Sequence, residues 1–383
     1  MRSFMAAAAA ACLALTPAVA AAGTDPAWQS WHSVPGVFDL GGPRSDGSLV
    51  VAGSANLYLA DPAGTLSPFA RGAGGYHEDP GAEAYLAVSP GAHVSAAGCD
   101  FVRNDTFLLR LHIPIGIERV DAPGQNTGSF ANVTGVTSLN GIAFDTTGGF
   151  DHRLLVSGPS AGKTVISAID CNGSVQVITR SAPTLEGGLA VAPSSFGSFG
   201  GDLIAPDEYS GRIYAIAPDG NVSELAKPAL PKGGDIGVES VGFVPAGFMS
   251  GAGAAYLADR KTAGNPHPGT DSILRLSSAD LAAAGVRDGD LLVATEGGAT
   301  LIAVRCGATC TVIPVVSTPT AAHGEGHVVF TSSAVPSPPS VIQEATPARS
   351  ATPASGSNAL IAILVVVVLL AFAGGIILGR RRK

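Results

Sequence analysis

Charge is scarce in this 383-residue chain: Asp, Glu, Lys and Arg make up 14% of it, against about a quarter in ordinary globular proteins. So few charges leave little for the i,i+4 ion pairs that support exposed helices. They also exclude a coiled coil, a basic nucleic-acid binder and a charged disordered tail. The glycines keep no three-residue period, which excludes collagen. Cysteine is limited to five residues, and none of the CxxC pairs that mark a zinc site is present. What the chain has in quantity is 50 Gly and 27 Pro. That much glycine opposes long helices, and a turn-rich, apolar, mostly β chain remains.

Both ends read as targeting or anchoring segments. Residues 1–22 open with Arg2, continue apolar from Phe4 to Ala14, and end in Ala18-Val19-Ala20 and Ala20-Ala21-Ala22. A charged start, a short apolar core and an A-x-A site describe a secretory signal peptide. Residues 359–379 carry no charge and precede the basic tail 380–383, Arg-Arg-Arg-Lys. Twenty apolar residues span the hydrocarbon core, and the basic tail places the C-terminus in the cytoplasm. No LPxTG-like pentapeptide precedes this segment, which argues against a sortase signal, although retention of the helix and its cleavage as a sorting signal both stay open. Residues 331–358 hold 15 Ser, Thr or Pro, the composition of a stalk that cannot build a core. The expectation is a single-pass membrane protein with residues 23–330 outside the cell.

Without the two ends, seventeen basic residues face thirty acidic ones, a net charge of −13. Such a surface repels nucleic acid and favours cations. Cys99, Cys171, Cys306 and Cys310 remain, and in an oxidising compartment they allow three pairings. Cys306 and Cys310 lie between two strand-like runs, so a disulfide closing that hairpin is the most economical, leaving Cys99 for Cys171.

The middle repeats. Glu83-Ala-Tyr-Leu-Ala-Val88, Asn140-Gly-Ile-Ala-Phe144, Glu186-Gly-Gly-Leu-Ala-Val191, Glu239-Ser-Val-Gly-Phe243 and Glu325-Gly-His-Val-Val-Phe330 each set a polar residue before a short apolar strand. Their last residues are 56, 47, 52 and 87 positions apart. Three more strands follow each, with the second ending in a small or acidic residue. The turn Pro218-Asp219-Gly220 joins two of them: Pro presets φ and Gly accepts φ > 0. Four antiparallel strands in about fifty residues make a blade of a β-propeller. Ser48–Ala52, Ala55–Ala60 and Thr65–Ala70 look like strands two to four of a blade whose first strand is Glu325–Phe330, so the termini would close the ring. The 87-residue gap holds two short blades, giving six, or one blade with an insertion, giving five. Ser278–Gly285 is the one convincing helical turn, capped by Ser278 or Asp280.

With Asn140-Gly-Ile-Ala-Phe-Asp145, the Gly211–Gly220 hairpin and this repeat length, residues 40–330 resemble the six-bladed propellers of the SMP-30/gluconolactonase and NHL-repeat type. That resemblance implies, for the enzymatic members, one divalent metal in the central channel, held by Glu, Asn and Asp side chains at the starts of inner strands. Asn140 matches the Asn-Gly position, Glu239 occupies the Asp column, and Glu83 stands one residue from the Glu position. No second Asn matches.

The residues themselves point to the same place. Glu83, Asn140, Glu186, Glu239 and Glu325 open inner strands and should converge at one channel mouth, with His77 and His327 nearby. Four carboxylates at close range need a cation or raised pKa values, and an oxygen set of this kind suits Ca²⁺ or Mg²⁺. Two other motifs are decoys. Gly158-Pro-Ser160-Ala-Gly162 lacks the strand-to-helix context of a nucleophile elbow, and Ser157 stands where a phosphate loop needs glycine. His323-Gly-Glu-Gly-His327 has i,i+4 histidines, but its glycines disfavour the helix that would align them. No complete catalytic set appears. The leading expectation is a surface-anchored binding or scaffolding module for an extracellular protein, glycan or small molecule. The alternative is a divalent-metal-dependent hydrolase of the lactonase or esterase type.

Overall fold

The computed structural model describes residues 26–54, 56–70 and 83–332. The expected signal peptide, nearly all of the stalk, the segment 359–379, the basic tail and His77 lie outside them. Among the described residues no helix is long and apolar enough to cross a membrane.

Six four-stranded antiparallel sheets form the blades. From the axis outwards, blade I is Val37–Gly41, Leu49–Gly53, Asn56–Ala60 and Leu66–Phe69. Blade II is Leu86–Val88, Thr106–Arg110, Gly116–Val120 and Asn126–Asn132. Blade III is Gly141–Phe144, Leu154–Ser160, Lys163–Ile169 and Val175–Ala182. Blade IV is Ala190–Val191, Leu203–Asp207, Arg212–Ile216 and Val222–Ala226. Blade V is Val238–Phe243, Leu291–Thr295, Leu301–Cys306 and Cys310–Val316. Blade VI is assembled from three parts of the chain: Gly324–Thr331 inside, then Ala254–Asp259 and Ser272–Ser277, then Gln29–Ser33 outside.

The inner strand Gly324–Thr331 packs between those of blades V and I, so the ring is closed. The termini do share one blade, but not the expected one. Blade I has its own first strand, Val37–Gly41, which the polar-then-apolar pattern misses because its acid, Asp39, sits inside the run. The 87-residue gap is explained by interleaving. After its inner strand, blade V lends the chain to blade VI for the hairpin 254–277, then takes it back at Leu291.

Local chemistry follows the expected rules. Gly220 sits at φ +86° in the Pro218-Asp219-Gly220 turn, where the Asp219 carboxylate accepts from the Asn221 N–H at 3.0 Å. A Cβ at Gly220 would lie 2.5 Å from the Ile178 carbonyl of the neighbouring blade. Ser160 ends a strand and faces Lys163 across a two-residue turn, as a hairpin residue should. Among the described residues the one α-helix, Ser278–Ala283, is capped by Ser277 rather than Ser278 or Asp280: its hydroxyl accepts from the Asp280 N–H at 3.1 Å.

Apolar faces of adjacent blades interlock to make the core. Between blades II and III, Phe101, Phe107, Phe130 and Phe144 form an edge-to-face cluster. The described residues belong to one compact unit that partners every strand among them internally, so this part of the chain has what it needs to fold alone.

Both expected disulfides are present, Cys99–Cys171 and Cys306–Cys310. They span 72 and 4 positions respectively. By loop-closure entropy, replacing Cys99 and Cys171 with serine should cost about 4 kcal/mol, and the same change at Cys306 and Cys310 about 2 kcal/mol. Urea melts of the two double variants check the order. Equal losses would show that chain entropy does not govern these bridges.

Candidate functional site

The channel axis is tied by a buried carboxylate. Asp39 is fully buried and accepts from the backbone N–H groups of Leu40 (2.8 Å), Leu86 (2.7 Å) and His327 (2.9 Å), which belong to blades I, II and VI. His327 Nδ1 lies 2.9 Å from Asp39 Oδ1, and its Nε2 lies 2.8 Å from the Ile142 carbonyl of blade III. A carbonyl only accepts, so Nε2 carries a proton, and Nδ1 meets a carboxylate. The imidazolium satisfies both. Burial opposes that charge, but the Asp39 charge and hydrogen bonds to Asp39 and Ile142 outweigh it and raise the His327 pKa. Gly326 makes the approach possible: it sits at φ +67°, and a Cβ there would stand 2.1 Å from Asp39 Oδ1.

One mouth of the channel is acidic. Tyr85, fully buried, points its hydroxyl at Glu239 Oε1 (2.9 Å), Glu325 Oε2 (2.9 Å) and Glu83 Oε2 (3.3 Å). A phenol has one proton to give. Two carboxylate oxygens at equal distance therefore require a second proton or a cation between them. Glu325 Oε1 also meets Arg260 Nη1 and His323 Nε2, each at 3.4 Å. Arg260 Nη1 lies 2.7 Å from Glu83 Oε1, and His323 Nε2 lies 2.9 Å from Glu296 Oε1. Three buried polar atoms here have no hydrogen-bond partner: Glu239 Oε2, Glu296 Oε2 and His323 Nδ1.

Burial and crowding raise the pKa values of several acids at this mouth. Burial, then the charges of Glu296 and Glu186, push Glu208 up to about 9. Burial and Glu325 push Glu83 up to about 8. Glu186, Glu239 and Glu296 are raised as well, each mainly by burial and then by neighbouring carboxylates. For His323, burial is outweighed by Glu296 and Glu325, and its pKa rises to about 10.

Four of the five expected residues thus share the mouth: Glu83, Glu186, Glu239 and Glu325. Asn140 does not offer its amide. Its Nδ2 donates to the Leu185 carbonyl at 2.7 Å, and its Oδ1 accepts from the Ser157 hydroxyl at 3.0 Å. Among the described residues, the donor group that gathers most closely is a different one, Glu296, His323 and Glu325, whose ligand atoms lie within 4.8 Å of one another. The sequence held a signal for the missed members. Glu208, Arg260 and Glu296 each follow the second strand of a blade directly, in the column that ends in small or acidic residues. Tyr85 and Asp39 gave no such signal, because each looks like an ordinary interior position of a short strand.

The chain is a six-bladed β-propeller with this acidic mouth. No family model matches its sequence, and no curated protein matches it. Among solved structures it is similar to a protein of a nidogen/laminin complex, at 12% identity and TM-score 0.46, covering 77% of this chain and 84% of the other. It is also similar to the virginiamycin B lyase of Staphylococcus aureus, at 12% and 0.40 over 80% and 96%. A putative gluconolactonase aligns at 12% and 0.34 over 69% and 93%. Likeness at this level assigns this chain no activity, so the activity must be argued from the residues.

Proposed function

We infer that this chain is an exported, membrane-anchored propeller whose acidic mouth binds a divalent cation and uses it to hold an extracellular ligand. The observation that carries this reading is the convergence of Glu239, Glu296, His323 and Glu325 with three buried, unpartnered polar atoms among them. A histidine nitrogen beside carboxylate oxygens is a mixed donor set. It suits Zn²⁺ or Mn²⁺ better than the Ca²⁺ or Mg²⁺ that an all-oxygen set implies. Arg260 offsets part of the remaining negative charge.

Hydrolysis is a second reading, favoured by Glu83. Its side chain is 37% exposed, and its raised pKa keeps a proton available at neutral pH where a ligand would enter. A divalent cation, when bound, supplies polarisation of a carbonyl. Glu83 would hold a proton for the leaving oxygen, and Arg260 would orient the carboxyl.

Elemental analysis of the segment ending at Pro336 should find about one divalent ion per chain, and Mn²⁺ or Zn²⁺ should raise the melting temperature of chelated protein. Glu325→Gln and His323→Ala should each weaken that response at least about tenfold. A metal response unchanged by both variants would overturn the site. A lactone and ester screen with and without chelator then separates the readings, since only the hydrolase shows chelator-sensitive turnover.

A further inference from the structure

The opposite end of the channel has the opposite character. The acidic mouth gathers at the starts of the inner strands. At their far ends, beyond His327, the strands surround a cavity of about 540 Å³. Each blade contributes to its wall: Leu40, Leu86, Phe144, Val191, Phe243 and Phe330, in blade order. The volume lies within the range of about 300–1,000 Å³ typical of small-molecule sites.

The charged groups that reach this wall, and the Thr147 hydroxyl, already have partners. His327 is bound to Asp39 and Ile142. The Thr147 hydroxyl donates to Asp145 at 2.9 Å. Both oxygens of Asp288, at the rim, accept backbone N–H groups, from Gly247 and Met249. An anion entering here would give up its hydration and find the one nearby cation, His327, already neutralised by Asp39. A cation would find Asp288 with both oxygens engaged. Ordered water needs two to four polar partners, and the wall leaves few free. What such a space rewards is apolar surface without charge.

We propose that this cavity is a second binding site, for a neutral and mainly apolar small molecule of the size of two fused rings or a medium alkyl chain. It is separate from the acidic mouth because the Asp39–His327 tie crosses the axis between them.

The test uses N-phenyl-1-naphthylamine, a neutral fluorescent probe, with the segment ending at Pro336. The expected result is a saturable, blue-shifted rise in fluorescence at one probe per chain. Val88→Trp and Ala190→Trp, at two half-buried wall positions, should each weaken it by at least about tenfold while melting stays near the parent. Using both keeps the test alive if one variant misfolds. Val312→Trp, on the outer strand of blade V, should change nothing. 1-Octanol should displace the probe, whereas octanoate and octylammonium should not. Absence of saturable binding, wild-type affinity in both folded tryptophan variants, or equal displacement by the charged alkyl compounds would overturn the proposal.

Discussion

Replacing Asp39 with alanine is expected to destabilise the propeller by about 3–5 kcal/mol, the cost of removing one partner from a buried ion pair. The change leaves the His327 imidazolium without its counter-charge, and it orphans the N–H groups of Leu40, Leu86 and His327, all buried. Water makes good little of either loss, because Asp39 and the N–H groups it serves are buried. Asp39→Asn should cost less, because an amide oxygen still accepts, though it cannot neutralise the imidazolium. Adding His327→Gln to Asp39→Asn should recover part of the loss, since the stranded charge is then gone. Denaturant melts of wild type, Asp39→Asn, His327→Gln and the double variant give the coupling energy. An Asp39→Ala protein within about 1 kcal/mol of wild type would mean the tie is an ornament of the axis rather than a clamp.

The second large effect is in pH. In the chelated protein, Glu208 and Glu83 hold protons up to about 9 and about 8, while in the unfolded chain they titrate near 4.5. His323 keeps its proton to about 10 against 6.5 unfolded. Between these limits the folded state binds more protons than the unfolded one, so stability falls as pH rises. Raised acids and a raised histidine act in the same direction. Asp46, Asp61 and Asp151 have lowered pKa values, and they pull the other way only in acid, below about pH 4. From pH 5.5 to 9 the melting temperature should therefore drop, by on the order of 10 °C. A saturating divalent cation should flatten or reverse the slope, because it takes the place of the protons. A level or rising profile in chelator would contradict the crowded, protonated mouth described above.

Much of this architecture could be read from residues alone. Five of the six inner strands announce themselves by a polar residue and a short apolar run, since the axis needs small apolar side chains and the mouth needs solubility. Cys306 and Cys310 declare their pairing by sitting across one hairpin. Val37–Gly41 and Gln29–Ser33 were not legible. The first carries its acid inside the strand, where Asp39 serves its own strand and two others rather than solvent. The second is an outer strand whose partner, Ser272–Ser277, lies more than two hundred residues on, and local pattern holds no record of that pairing. The site divides in the same way. Carboxylates that open strands could be placed at the mouth. The identity of the tightest donor group could not, because Glu296 and His323 meet only after blades V and VI have interleaved.

That interleaving has a consequence for how the protein is made. Synthesis delivers the outermost strand of blade VI first, at Gln29–Ser33, and its innermost last, at Gly324–Thr331. Until the last strand emerges, Ala254–Asp259 has a bare edge and Asp39 has no histidine. Closure is thus a single late event that depends on partners far apart in the chain, the kind of topology that folds slowly. A nascent chain halted before Gly324 would present the open edge of Ala254–Asp259, which invites pairing with other chains. For this ring, the emergence of Gly324–Thr331 and the burial of its last edge coincide, so a chain interrupted before that strand is also an aggregation-prone one.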